Sequence, residues 1–119
     1  MNYHLDKSKP LCPQICEQIC SRIALGDYLP NEKLLSVREC ALNIGVTPNT
    51  VQRAYEILEG QGILYSQRGS GWYVSEDTTY ANKILDDIIK EKAAAFIASM
   101  KALGYDLDEV KDYVKEWEN

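Results

Sequence analysis

Two helix-start signals set close together, with a glycine between them, restrict this chain more than any other feature in it. The first is Ser36-Val37-Arg38-Glu39, which reads as a capping box: the serine hydroxyl takes an amide of the first turn and the glutamate reaches back to the serine amide. Val37, Cys40 and Ala41 then face inward, and the helix stops before Gly45. The second start follows at once as Thr47-Pro48, a hydroxyl at the N-cap and a proline at the first helical position, where a missing N–H does no harm. Val51, Ala54, Tyr55 and Leu58 recur at helical spacing and form its inner face, and Gly60 and Gly62 close it. Two short helices across a glycine turn make a helix-turn-helix. The small Ala41 lets the two helices approach, and Gly45 admits the turn.

The flanks complete the unit. A first helix is expected to open at Cys12-Pro13, with Pro13 at its first position and Ile15, Ile19 and Ile23 as its apolar stripe. Gly26 stops it, and Asn31 stands in the following turn as a residue tolerant of positive φ. Past Gly62 the period changes to that of strands at 63–67 and 72–75, joined by the hairpin turn Arg68-Gly69-Ser70-Gly71. A hairpin directly after the second helix of the motif is a wing. The polar Glu76-Asp77-Thr78-Thr79 marks a joint, dividing the chain into residues 1–76 and a tail of 77–119. In the tail, Ala81, Leu85, Ile89, Ala93, Phe96, Met100 and Leu103 trace one face of a helix of about six turns, ended by Gly104. Asp106 and Glu109 cap a last helix with Leu107, Val110, Val114 and Trp117 along one side. The expected fold class is mainly α with a small β-hairpin, a winged helix-turn-helix followed by a two-helix tail.

Charge separates the two parts. Residues 1–75 hold seven Lys and Arg against seven Asp and Glu, whereas 76–119 hold six against eleven, so the net −5 lies wholly in the tail. A neutral front half can grip a polyanion only through the placement of its cations, and such a grip is modest and salt-sensitive. No apolar run approaches the ~20 residues that span a bilayer, and residues 1–10 lack an apolar leader core. A cytoplasmic location and no membrane partner are expected. Catalysis has nothing to rest on: there is one histidine, no nucleophile–base pair and no phosphate loop. No cofactor is expected either.

The stretches Gln14-Ile15, Gly26-Asp27, Lys33-Leu34-Leu35-Ser36-Val37-Arg38-Glu39, Gly45-Val46-Thr47-Pro48-Asn49-Thr50-Val51, Leu58-Glu59-Gly60-Gln61-Gly62 and Arg68-Gly69-Ser70-Gly71-Trp72-Tyr73-Val74 together resemble the GntR family of bacterial regulators over residues 10–75. The run from Pro48 through Tyr55 is similar to the YtrA subfamily, whose members end in a short two-helix extension. Leu35 stands where the family usually has proline, and Asn31 where it commonly has glycine. The resemblance implies a transcription regulator, most simply a repressor of a transporter operon or of its own. It also implies that Arg38 reaches DNA beside the recognition helix.

That helix would enter the major groove with Thr47, Asn49, Thr50, Gln52 and Arg53 on its leading turns. Asn and Gln pair bidentately with adenine and Arg with guanine. Ser36 and Arg38 lie at the start of the preceding helix, and Arg68, Gly69, Ser70 and Gly71 bring the wing tip to the backbone or minor groove. In the tail, Leu85, Ile89, Phe96, Met100, Leu107, Val110, Val114 and Trp117 are too apolar to stay in water, and pairing two tails would bury them. A homodimer on a palindromic operator in double-stranded DNA follows, with a small-molecule effector pocket in the tail as the rival use of that face. Cys12, Cys16 and Cys20 are spaced four apart and either act as small hydrophobes beside the isoleucine stripe or hold a soft metal. With no companion ligands no metal is expected, and with no leader for secretion the thiols are expected reduced, without a disulfide. Two alternatives stay open: a thiol- or metal-responsive regulator, and a winged-helix module that binds protein instead of DNA.

Overall fold

The structure is a computed structural model that describes residues 3–118. Its elements run α1 (Leu11–Ala24), α2 (Val37–Ile44), α3 (Pro48–Gly60), β1 (Leu64–Gln67), β2 (Gly71–Val74), α4 (Thr79–Ala102) and α5 (Leu107–Lys115). This is the mainly helical, small-hairpin class that the sequence predicts. The chain falls into two compact units, one reaching to Leu85 and the other starting at Asp86.

In the first unit, α3 packs against both α1 and α2. Ile15, Ile19 and Ile23 of α1 meet Val51, Ala54, Tyr55 and Leu58 of α3 and Cys40 and Ala41 of α2 in one core. Burying each large aliphatic side chain there contributes about 1.5–3 kcal/mol. Tyr55 is fully buried but places its hydroxyl on the Leu35 carbonyl at 2.9 Å and its ring edge-on to Trp72 at 5.5 Å, tying helix, loop and wing together.

Both helix starts form as expected, with one difference of detail. Ser36 Oγ accepts the Glu39 amide at 3.1 Å and Glu39 Oε1 accepts the Ser36 amide at 3.2 Å. Thr47 occupies the N-cap of α3 with Pro48 behind it, yet its hydroxyl makes no cap bond and pairs instead with the Thr50 hydroxyl at 2.8 Å. Gly45 ends α2 at φ +74°, a conformation that disfavours every side chain with a Cβ. The first helix opens earlier than expected, at Leu11, so Pro13 sits third instead of first. The ring is accepted there because the amides of the first turn have no partner inside the helix.

The hairpin pairs Leu64 with Val74, Tyr65 with Tyr73 and Ser66 with Trp72, and the chain before α2 adds a rudimentary third strand. Leu34 N–H donates to the Trp72 carbonyl and Val74 N–H to the Glu32 carbonyl, each at 2.9 Å. Asn31 takes φ +66° at the corner, and its Oδ1 receives the Tyr65 hydroxyl at 3.0 Å.

The second unit contains the remainder of α4 and all of α5. Asp106 and Glu109 form a complete capping box, and Tyr105 and Tyr113 meet edge-on at 5.7 Å. Val110 is buried within this unit, while Ile89, Phe96, Leu107 and Val114 remain exposed. Trp117 follows the helix end in a turn, its N–H donating to the Val114 carbonyl at 3.1 Å, and is 85% exposed.

Candidate nucleic-acid interface

The same periodicity that buries Val51, Ala54, Tyr55 and Leu58 turns the other side of α3 to solvent. Thr47, Asn49 and Arg53 are exposed, and Thr50 and Gln52 are half-buried. The five residues expected on the leading turns thus share one accessible edge of a helix whose opposite face is locked into the core. Gln52 is already steered, its amide nitrogen donating to Glu56 Oε1 at 2.8 Å one turn on. Asn49 and Arg53 project with free reach.

Arg38 is exposed on α2 and shares a shallow hollow of about 350 Å³ with Leu42, Val46 and Pro48, which sets it beside the first turn of α3. Ser36 is exposed too, with its oxygen engaged as a helix cap, so only its O–H is left to give. At the wing tip Arg68, Gly69 and Ser70 are exposed and Gly71 is half-buried. The Ser70 hydroxyl bonds the Tyr73 hydroxyl, which steadies the turn. One carboxylate clasps the wing to α3: Glu59 Oε2 accepts both the Ser66 amide at 3.1 Å and the Ser66 hydroxyl at 2.7 Å.

Sequence reasoning missed three lysines that the fold brings to this side. The Lys33 stem packs where a Cβ on Gly71 would stand, 3.2 Å from Cε, putting a cation beside the wing. Lys7 and Lys9 line a groove with Asn49, Thr50 and Arg53. None carries a local signal, because lysines in a polar lead-in or a turn look like any solvated cation.

The cysteines are placed for packing. Cys20 and Cys40 are buried, and Cys16 is half-buried with its thiol donating to the Ala54 carbonyl at 3.6 Å. Burial, reinforced by the neighbouring Cys12 and Cys20, pushes Cys16 up to about 12, and burial beside Glu17 pushes Cys20 up to about 11. Burial also raises Cys40. The thiolate is the species that binds metal or reacts with oxidant, so these environments oppose both. Among the described residues, no three His, Cys, Asp or Glu side chains converge as a metal site.

Comparison with known proteins agrees with this geometry. The profile of the bacterial regulatory proteins, gntR family, matches residues 11–74. The HTH-type transcriptional regulator YhcF of Bacillus subtilis is 36% identical over 97% of this chain and 95% of its own length. The HTH-type transcriptional repressor YtrA of the same organism is 37% identical over 92% and 85%. A GntR family transcriptional regulator from Listeria monocytogenes superposes with a TM-score of 0.83 at 40% identity, covering 96% of this chain and all of that one. The DNA-binding domain of AraR, solved in complex with operator ORX1, covers 63% of this chain and 92% of its own at 32% identity, with a TM-score of 0.54. A helix-turn-helix with its outer helix edge bare, a wing clasped to that helix and matches of this extent lead to one conclusion: the chain belongs to the GntR family of bacterial transcriptional regulators and carries the family's winged helix-turn-helix DNA-binding domain.

Proposed function

We propose that the chain is a homodimeric repressor that reads a palindromic operator, with residues 1–76 holding the DNA and residues 77–119 joining two copies. One observation carries the reading: the polar edge of α3 is accessible along its leading turns while its apolar face is wholly committed to the core. A helix so presented fits the major groove, with Asn49 and Gln52 suited to adenine and Arg53 to guanine. Arg38 beside it, Thr47, Thr50 and Ser36 at the helix starts, and Arg68 with Gly69, Ser70 and Gly71 in the wing, supply backbone contacts. AraR, similar in structure, is solved on operator DNA, and YtrA is a repressor similar along most of this chain. Repression then follows from occupying a promoter, that of its own or a transporter operon, in the bacterial cytoplasm. The exposed Ile89, Phe96 and Val114 support pairing of two tails.

A second use of the tail has its own support. Ala93, Phe96, Ile97, Leu107 and Val114 line an apolar groove of about 450 Å³, within the range of small-molecule sites. An effector held there would compete with or reinforce pairing.

Footprinting of the purified protein on the DNA upstream of its own gene tests the main reading. A protected inverted repeat is expected, and Arg53→Ala should weaken binding by about 1–3 kcal/mol and relax discrimination at one base pair. Arg38→Ala should weaken it without changing which sequence is preferred. Protection that survives both substitutions together would remove α3 and its neighbour from the interface.

A further inference from the structure

The segment ahead of α1 is a built arm. Two glutamines one turn apart on α1 hold it by pairing with its backbone as a neighbouring strand would. Gln18 accepts the His4 amide at 2.8 Å and donates to the His4 carbonyl at 2.5 Å. Gln14 accepts the Asp6 amide at 2.7 Å and donates to the Asp6 and Pro10 carbonyls, each at 2.9 Å. Asp6 Oδ1 takes both the amide and the hydroxyl of Ser8, which bends the chain back towards α1. Lys7 then reaches the helix-turn-helix itself, its Nζ donating to the Gly45 carbonyl at 2.9 Å.

The outcome is a groove of about 670 Å³ between arm and recognition helix, lined by Lys7, Lys9 and Arg53 together with Asn49 and Thr50. Among the described residues that line it there is no carboxylate. The ion pair of Lys9 with Asp6 is long, at 3.9 Å, and exposed on both sides, so it leaves the lysine's charge largely available. In a front half with seven cations and seven anions, three of the cations meet here, against the edge of α3.

We propose that this arm is a second phosphate-binding element: Lys7 and Lys9, beside the base-reading Arg53, receive the DNA strand that borders the major groove where α3 enters. The inference rests on α3 lying in that groove. A strand so placed already passes Asn49 and Thr50, so its own phosphates are the anions nearest the groove. Phosphate contacts fix register and raise affinity without reading sequence.

The salt dependence of binding decides the matter. Wild type, Lys9→Ala and the pair Lys7→Gln with Lys9→Ala are titrated against a duplex enriched in vitro on the wild-type protein and against a scrambled duplex. Glutamine at position 7 removes the charge but retains a donor for the Gly45 carbonyl, and equal melting temperatures verify that the turn is intact. The plot of log affinity against log salt should flatten by about 0.9 for each phosphate that a variant no longer neutralises, with equal weakening on both duplexes. Lys9→Arg should keep the wild-type slope. Unchanged slopes in both charge-removing variants would overturn the proposal, as would weakening confined to the enriched duplex. Saturable displacement of DNA by inorganic phosphate at constant ionic strength would instead identify a free-anion site. If the wild-type protein enriches no duplex, the major-groove reading itself is overturned, an outcome distinct from a wild type that binds with arm-independent slope.

Discussion

At the scale of single residues, local chemistry is what the sequence exposes best. The Ser36 and Glu39 reciprocal bonds and the positive φ of Asn31 are short-range features written in adjacent residues. The Thr47 hydroxyl was not legible, since the choice between an amide and the Thr50 hydroxyl is set by a rotamer and not by residue type. The cysteines show the same limit: spacing permits a metal face or a packing face, and only burial distinguishes them. Their titration gives a test. In the unfolded chain the thiols ionise near about 9, whereas Cys16 and Cys20 in the folded state hold their protons to about 12 and about 11. The folded state therefore binds more protons across that window, and stability should be full below about pH 9 and fall as pH climbs towards 12. Urea midpoints of wild type and Cys16→Ala across this range measure it, and the alkaline loss should be smaller in the variant. Thiol labelling at neutral pH should likewise reach Cys20 and Cys40 only on unfolding.

Secondary elements were legible wherever their periodicity was matched by a start or stop signal. α2, α3 and the hairpin all lie within a residue or two of expectation, because caps, glycines and apolar spacing agree. Two features escaped because periodicity and caps carry no signal for them: they depend on pairing outside their own segment. The strand-like segment before α2 pairs with β2 some forty residues on, and the N-terminal arm pairs with glutamine side chains on α1. The cap of α2 should be measurable: Ser36→Ala should lower stability by about 1 kcal/mol by urea unfolding. Gly45→Ala should lower it by about 1–2 kcal/mol, since its φ of +74° is strained for alanine and the new Cβ meets Lys7 Nζ at 3.2 Å. A Gly45→Ala protein as stable as wild type would mean that the turn relaxes out of the left-handed region.

For the molecule as a whole, the division of charge and of apolar surface follows the division of labour proposed for it. The front half gathers Ile15, Ile19, Val51, Tyr55 and Leu58 in one buried cluster, whereas α4 and α5 leave Ile89, Phe96 and Val114 exposed. Replacing Ile89 and Phe96 together by Glu should give a monomer by light scattering, with operator affinity much reduced and the unfolding of the first unit unchanged. Val110→Glu should behave differently and unfold the second unit, since Val110 is 3% exposed within it. A double-Glu protein that remains dimeric would shift pairing away from this face.

The Glu59 clasp has a bearing on how operators for this protein can vary. With Ser66 anchored to the last turn of α3, the wing and the helix move together, so the two DNA contacts proposed for them would keep a constant phase. One base pair inserted between them turns the wing's target by about 35° around the DNA axis. Such an insertion should abolish the wing's share of binding in wild type, whereas Glu59→Ala, its hairpin loosened, should tolerate it better.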